Sequence, residues 1–137
     1  MKRVLIDLNI IIDMLNKRMD HESALVIYDL CSRRIIKGYI AAHEITTLSY
    51  FLEKDKATIN KRNRIINNLL DNLSVLSPNE TILRKSLDSD INDYEDAVID
   101  ELATKEELDF IITRNYKDFS KSKNQIYTAR EAIEILK

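Results

Sequence analysis

Five short apolar runs, separated by long stretches of helical periodicity, constrain this chain more than any other feature. Residues 3–6 stop at Asp7, residues 39–41 follow Gly38, and residues 74–76 are cut off by Ser77 and Pro78. Residues 109–113, with their core at Phe110, Ile111 and Ile112, and residues 125–127 supply two more. Short apolar segments bounded by turn residues read as buried strands. Strands alternating with helices predict a parallel sheet covered on both faces, a three-layer α/β/α sandwich, since crossover connections place the helices there.

The helical segments follow from spacing. Asp7 is an ordinary N-cap, and residues 9–15 continue as helix, although Ile10, Ile11 and Ile12 alone suit helix or strand equally. Ala24, Leu25, Ile27, Tyr28, Leu30, Cys31, Ile35 and Ile36 recur at three- and four-residue intervals, with Gly38 expected to end that helix and supply the turn. Helical spacing resumes from Glu44 through Leu48 and Phe51. A basic helix over 58–73 should turn Ile65, Ile66, Leu69 and Leu70 inward, and weaker signals mark 81–87. Asp93 opens a helix carrying Ala97, Val98, Leu102 and Ala103, residues 115–120 form a loop, and residues 129–136 close the chain as helix.

A chain of 137 residues falls in the size range of one domain, so 1–137 is read as a single unit. An apolar fraction of 45% with 32% charged residues describes a globular protein rather than a disordered one. No apolar run approaches the roughly 18 residues that cross a bilayer, and Asp7 interrupts what would be a signal's apolar region, so a cytoplasmic protein without membrane contact is expected. The single Cys31 fits a reducing compartment and reads as a small buried hydrophobe. A net charge of −2 gives no global basic field. Charge is nevertheless uneven: residues 88–109 hold ten acidic residues against Lys105 alone, while cations gather at 17–18, 33–37, 54–64 and 114–123. An acidic pocket flanked by basic loops suits a polyanionic substrate, although helical surfaces carry such charges merely to stay solvated.

Asp7, Glu44, Asp96 and Asp118 are the candidate site. In an open parallel sheet, ligands bind beyond the carboxyl ends of the strands, near the point where strand order reverses. Asp7 and the loop at 113–118 each follow an apolar strand, Glu44 follows residues 39–41 by two, and Asp96 lies in the first turn of its helix. Hard divalent cations take oxygen ligands and promote phosphodiester hydrolysis by offsetting charge on phosphate and leaving oxygen. Each acid also has a structural reading: Asp7 as N-cap, Asp93 with Asp96 as a capping pair, and Asp118 as a turn anchor. Glu44 shares a face with Leu48 and Phe51, where an unpaired carboxylate is costly unless a cation compensates it. Asp13, Asp20, Asp100 and Glu101 read as solvated or as supports behind the site.

Four segments in order resemble the PIN-domain family. MKRVLIDLNIIIDML resembles its opening D-x-N-x-x-x-D element, IAAHEITTLSYFL its second segment with a helix-borne Glu, DYEDAVIDELA its third acidic segment, and DFIITRNYKDF its terminal strand and T-R-N-x-x-D-F loop. The resemblance implies a nuclease fold in which acidic side chains bind Mg²⁺ or Mn²⁺ and activate water for RNA cleavage. On it, Asp7, Glu44 and Asp96 fall on the first three acidic positions and Asn115 or Asp118 on the fourth. Asn9 and Thr113 match positions that support the site by hydrogen bonding, and Arg114 is a candidate substrate contact. Many small members are toxins of bacterial toxin–antitoxin pairs, which makes RNA the expected substrate and an antitoxin protein a possible partner. Homodimer formation would fit the apolar stripes at 60–73 and 81–87, as core packing also would.

Two other classes remain open. One is a non-catalytic PIN-like module that binds RNA or protein, for which Mn²⁺ would have no affinity. The other is a receiver-type α/β domain, which wants clustered acids at an early strand end and a Lys after a late strand; here Asp7 stands alone and Arg114 follows Thr113.

Overall fold

The computed structural model describes residues 1–136; Lys137, the last residue of the span read as one domain, lies outside them. Strand β1 (Arg3–Ile6) leads into α1 (Leu8–Leu15) and α2 (His21–Ser32), and β2 (Lys37–Ala41) into α3 (Ala42–Lys54) and α4 (Ile59–Asn72). Strand β3 (Ser74–Leu76) precedes α5 (Glu80–Leu87) and α6 (Tyr94–Lys105). Strand β4 (Phe110–Ile112), a 3₁₀ turn (Tyr116–Phe119), β5 (Ile126–Tyr127) and α7 (Ala129–Leu136) complete the order. All strand pairs are parallel, in the order β3-β2-β1-β4-β5. Chain order therefore reverses beside β1, between β1 and β4, where Leu5 pairs with both Tyr39 and Ile111.

Alternation along the strands divides the core between two faces. Val4, Ile6, Ile40, Phe110 and Ile112 pack against α1, α2, α3, α4 and α7 through residues such as Ile11, Ile27, Leu48, Leu69 and Ala132. Leu5, Tyr39, Ala41 and Ile111 pack against α5 and α6 through Ile82, Ala97, Val98, Ile99 and Leu102. The expected three-layer α/β/α architecture is thus present, and Val4, Leu5 and Ile6 are wholly buried because β1 is central and covered on both sides.

Several local expectations are corrected. Helix α2 ends at Ser32, before Ile35 and Ile36, and Gly38 does not make the turn. The left-handed residue is Arg34, at φ 60°, while Gly38 sits inside β2 without positive φ. Its role is close approach: a Cβ there would fall 2.5 Å from Cys31 Sγ and 2.8 Å from Leu73 Cδ2. Lys17, Lys56 and Glu107 also occupy the left-handed region just beyond helix ends. At all four ends a backbone N–H reaches the carbonyl five residues back (Arg18 to Asp13, Ile35 to Leu30, Ala57 to Leu52, Leu108 to Ala103), so glycine-type stops are made without glycine. On α4 Leu69 is buried but Leu70 points out, at 47% exposed, and residues 116–119 are a 3₁₀ turn rather than open loop. Cys31 is fully buried as expected, and burial pushes its thiol up to about 12.

Candidate active site

The carboxyl end of β1 is where the site begins. Asp7 caps α1, accepting from its neighbour Leu8 N at 2.8 Å through Oδ1. Its Oδ2 accepts from Thr113 Oγ1 at 2.8 Å and Asn9 Nδ2 at 3.2 Å, and Asn9 also donates to Thr113 at 3.1 Å. The backbone N–H of Arg114 closes the circuit on Asn9 Oδ1 at 3.0 Å. Thr113 is held there because β4 pairs with β1, so the strand order itself brings residue 113 to residue 7. Asn9 and Thr113 thus both donate to the same oxygen of the Asp7 carboxylate.

Glu44, in the first turn of α3, reaches the same point from β2. The Leu8 N–H that donates to Asp7 also donates to Glu44 Oε2, at 3.1 Å. Both side chains are buried, and Oε1 of Glu44 has no donor. Burial first, then Asp7, hold Glu44 well above the usual carboxyl range; the Leu8 N–H opposes this and Glu95 adds to it. Asp96 stands in the first turn of α6, its N–H donating to the N-cap Asp93 at 3.0 Å. It is pushed up to about 7 by burial first, and then by Asp7, Asp93, Asp118 and Glu95. Asp118 lies exposed in the 3₁₀ turn, beside a cleft of about 270 Å³ that includes Lys117 and Lys121.

The four expected acids are thus unequal. Asp7 and Glu44 are joined, Asp96 and Asp118 act on one another through space, and among the described residues no three His, Cys, Asp or Glu side chains are drawn together as a ready cage. The donor set nonetheless suits a hard divalent ion. Asp7 raises Glu44, Asp7 and Asp118 raise Asp96, and the unpaired Glu44 Oε1 is a buried acceptor that such a cation would satisfy.

Other expectations divide. Asp13, Asp100 and Glu101 are buried, not solvated. Asp13 binds Arg114 Nη1 at 2.5 Å, which engages the guanidinium expected to meet substrate. Asp13 is raised by burial, and Arg114 pulls the other way. Asp100 accepts from Ser122 Oγ, from Asn124 Nδ2 at 2.8 Å and from Lys123 N at 3.3 Å, while Glu101 binds Lys123 at 2.7 Å. Together they fasten the segment after Asp118 to the helix bearing Asp96. Asp20 is a surface residue paired with Arg130 at 2.7 Å. Asn115 donates its backbone N–H to Thr113 Oγ1 at 3.1 Å. Glu95 was not anticipated from sequence; it adds charge against Glu44 and Asp96 and faces His43 Nε2 at 3.9 Å, and its position inside the DYEDA run was the available signal.

A model of the PIN domain matches residues 3–117. No curated protein matches the chain in sequence. Among solved structures, VapBC2 from Rickettsia felis, bound to a DNA fragment from their promoter, is similar with a TM-score of 0.68 at 21% identity, over 91% of this chain and 96% of that one. A toxin–antitoxin complex from Klebsiella pneumoniae gives 0.69 at 22% identity, over 92% and 97%. FitAcB from Neisseria gonorrhoeae gives 0.66 at 16%, over 93% and 98%.

Proposed function

This chain belongs to the PIN-domain family, and on that premise we propose that residues 1–137 form one divalent-metal-dependent endoribonuclease domain that hydrolyses RNA phosphodiester bonds. The observation that carries the reading is the Asp7–Glu44 pair, buried at the strand-order reversal with one carboxylate oxygen unpaired. Asp7, Glu44 and Asp96 would hold Mg²⁺ or Mn²⁺, with Asp118 or Asn115 completing the set. When bound, the ion supplies positive charge that offsets the carboxylates, stabilises charge developing on phosphate and eases ionisation of water.

The chain's own residues do the rest. Thr113 and Asn9 orient Asp7 by donating to Oδ2, which leaves Oδ1 to accept from the Leu8 N–H that Glu44 also accepts. Lys117 and Lys121 line the cleft beside Asp118, where they would meet the RNA backbone. Arg114 steadies Asp13 and the turn after β4 before it can serve substrate. Burial lowers His43 from the ordinary imidazole value, against the pull of Glu95 and Asp7, which favours the neutral ring.

Solved relatives described as a toxin–antitoxin complex, or with promoter DNA, support a toxin role with an antitoxin protein as partner. Exposed Leu70, on the 60–73 stripe expected for self-association, supports a homodimer. A cytoplasmic location is consistent with the described residues, of which no helix is long and apolar enough to cross a membrane. RNA cleavage in Mn²⁺ by purified protein tests the reading. Asp7→Asn and Glu44→Gln should each lower kcat/KM by about 100-fold or more, the scale of lost electrostatic stabilisation. Cleavage unchanged by both substitutions would assign the activity to a contaminant and leave a non-catalytic binding module.

A further inference from the structure

We propose that the apolar recess between α5 and α6, beside the acidic centre, is a nucleobase subsite that seats one base of a single-stranded RNA, a reading that rests on the ribonuclease function above. The recess has a volume of about 390 Å³ and is lined by His43, Pro78, Leu83, Tyr94, Glu95 and Val98. That lies at the low end of the roughly 300–1,000 Å³ of small-molecule sites, suited to one planar ring system rather than to a peptide.

Its position ties it to the candidate site. His43 immediately precedes Glu44 on α3, and Tyr94 and Glu95 immediately precede Asp96 on α6. Glu95 on α6 approaches His43 Nε2 on α3 to 3.9 Å, so the two helices that carry Asp96 and Glu44 meet at the recess. A strand whose phosphate lies at the carboxylates would thus have its adjoining nucleoside over the recess.

The wall chemistry selects a base over a phosphate. Pro78, Leu83 and Val98 offer no donor to an anion, and the Glu95 carboxylate repels one. That same carboxylate accepts from the amino group of a base such as cytosine. Tyr94 supplies the π-face: the residue is 45% exposed, and its hydroxyl donates to the Leu83 carbonyl at 2.9 Å, which orients the ring through its edge. Stacking on a ring already positioned in this way loses little further freedom.

The test is fluorescence anisotropy of an eight-nucleotide single-stranded RNA, with Ca²⁺ in place of Mn²⁺, on native protein and on Tyr94→Ala, Tyr94→Phe and Leu83→Gln. The same strand carrying one abasic nucleotide, stepped along its length, completes a thermodynamic cycle. Tyr94→Ala should weaken binding by about 5- to 160-fold, the range of base–aromatic stacking, and Tyr94→Phe by less than about 3-fold. One abasic position should weaken native protein by a similar factor and add almost nothing to Tyr94→Ala or Leu83→Gln. Unchanged affinity in both Tyr94→Ala and Leu83→Gln, or an abasic penalty that persists in full in them, overturns the subsite. Cleavage in Mn²⁺ by native protein separates the two readings. A cleaving enzyme without coupling keeps the nuclease and loses the recess, whereas coupling without cleavage keeps the recess and loses the nuclease.

Discussion

Replacing Glu44 by Gln should stabilise the metal-free protein while removing its response to Mn²⁺. Burial and Asp7 hold the native carboxyl well above its ordinary range. A group whose folded pKa exceeds its unfolded value costs stability as pH rises through the unfolded value, about 4.3 for Glu, and the cost is complete above the folded one. Below both, where the carboxyl is protonated in either state, the cost vanishes. Gln keeps an oxygen for the Leu8 N–H and can present an amide N–H to Asp7, turning repulsion into a hydrogen bond. Relief of one like-charge conflict together with a hydrogen bond to a charged acceptor is worth about 2 kcal/mol. With an unfolding entropy of about 2.1 cal/mol/K per residue, that raises the midpoint of a 137-residue chain by about 7 °C. Calorimetry in EDTA at pH 8 should show the gain, and at pH 4 it should be nearly absent. Asp96, pushed up to about 7, acts in the same direction on native protein, by about 1 kcal/mol after discounting for its partial exposure. With Mn²⁺ at a hundred times its dissociation constant, native protein should gain about 2.7 kcal/mol, or about 9 °C, and the variant less than a third of that. A variant that melts no higher than native protein in EDTA at pH 8, or that retains the full Mn²⁺ gain, refutes the reasoning.

Arg114→Ala should cost about 2 kcal/mol in urea denaturation, because Asp13 is left buried without its cation, and adding Asp13→Asn should recover at least half of the loss. Gly38→Ala should cost about 1–3 kcal/mol, since the new methyl overlaps Cys31 and Leu73, and Cys31→Ala in the same chain should return part of it.

The layer architecture was legible because strands buried on both faces leave continuous apolar runs, as Val4, Leu5 and Ile6 do. That Asp7 and the 113–118 loop meet at one sheet edge has a related reason, since neighbouring parallel strands end together, whereas Asn9 and Thr113 were named only from the family resemblance. The helix stops were not legible. Arg34 and Lys56 adopt a conformation associated with glycine, and nothing in their side chains announces it; backbone bonds at the helix ends hold them there. Burial of Asp13, Asp100 and Glu101 was also hidden, since a carboxylate in a helix reads as solvent-facing until its partner is known. Those partners, Arg114, Ser122, Lys123 and Asn124, lie about twenty or a hundred residues away. Asp13 alone gave a hint, standing among isoleucines and leucines on an eight-residue helix.

The central strand precedes its sheet partners in synthesis, but its second neighbour, β4, comes more than a hundred residues later. Pairing across so long an interval waits on closure of nearly the entire chain. During translation the aspartate at position 7 therefore emerges long before the hydroxyl of residue 113 exists to orient it. A growing polypeptide cannot assemble this centre until β4 has left the ribosome and found its place beside β1.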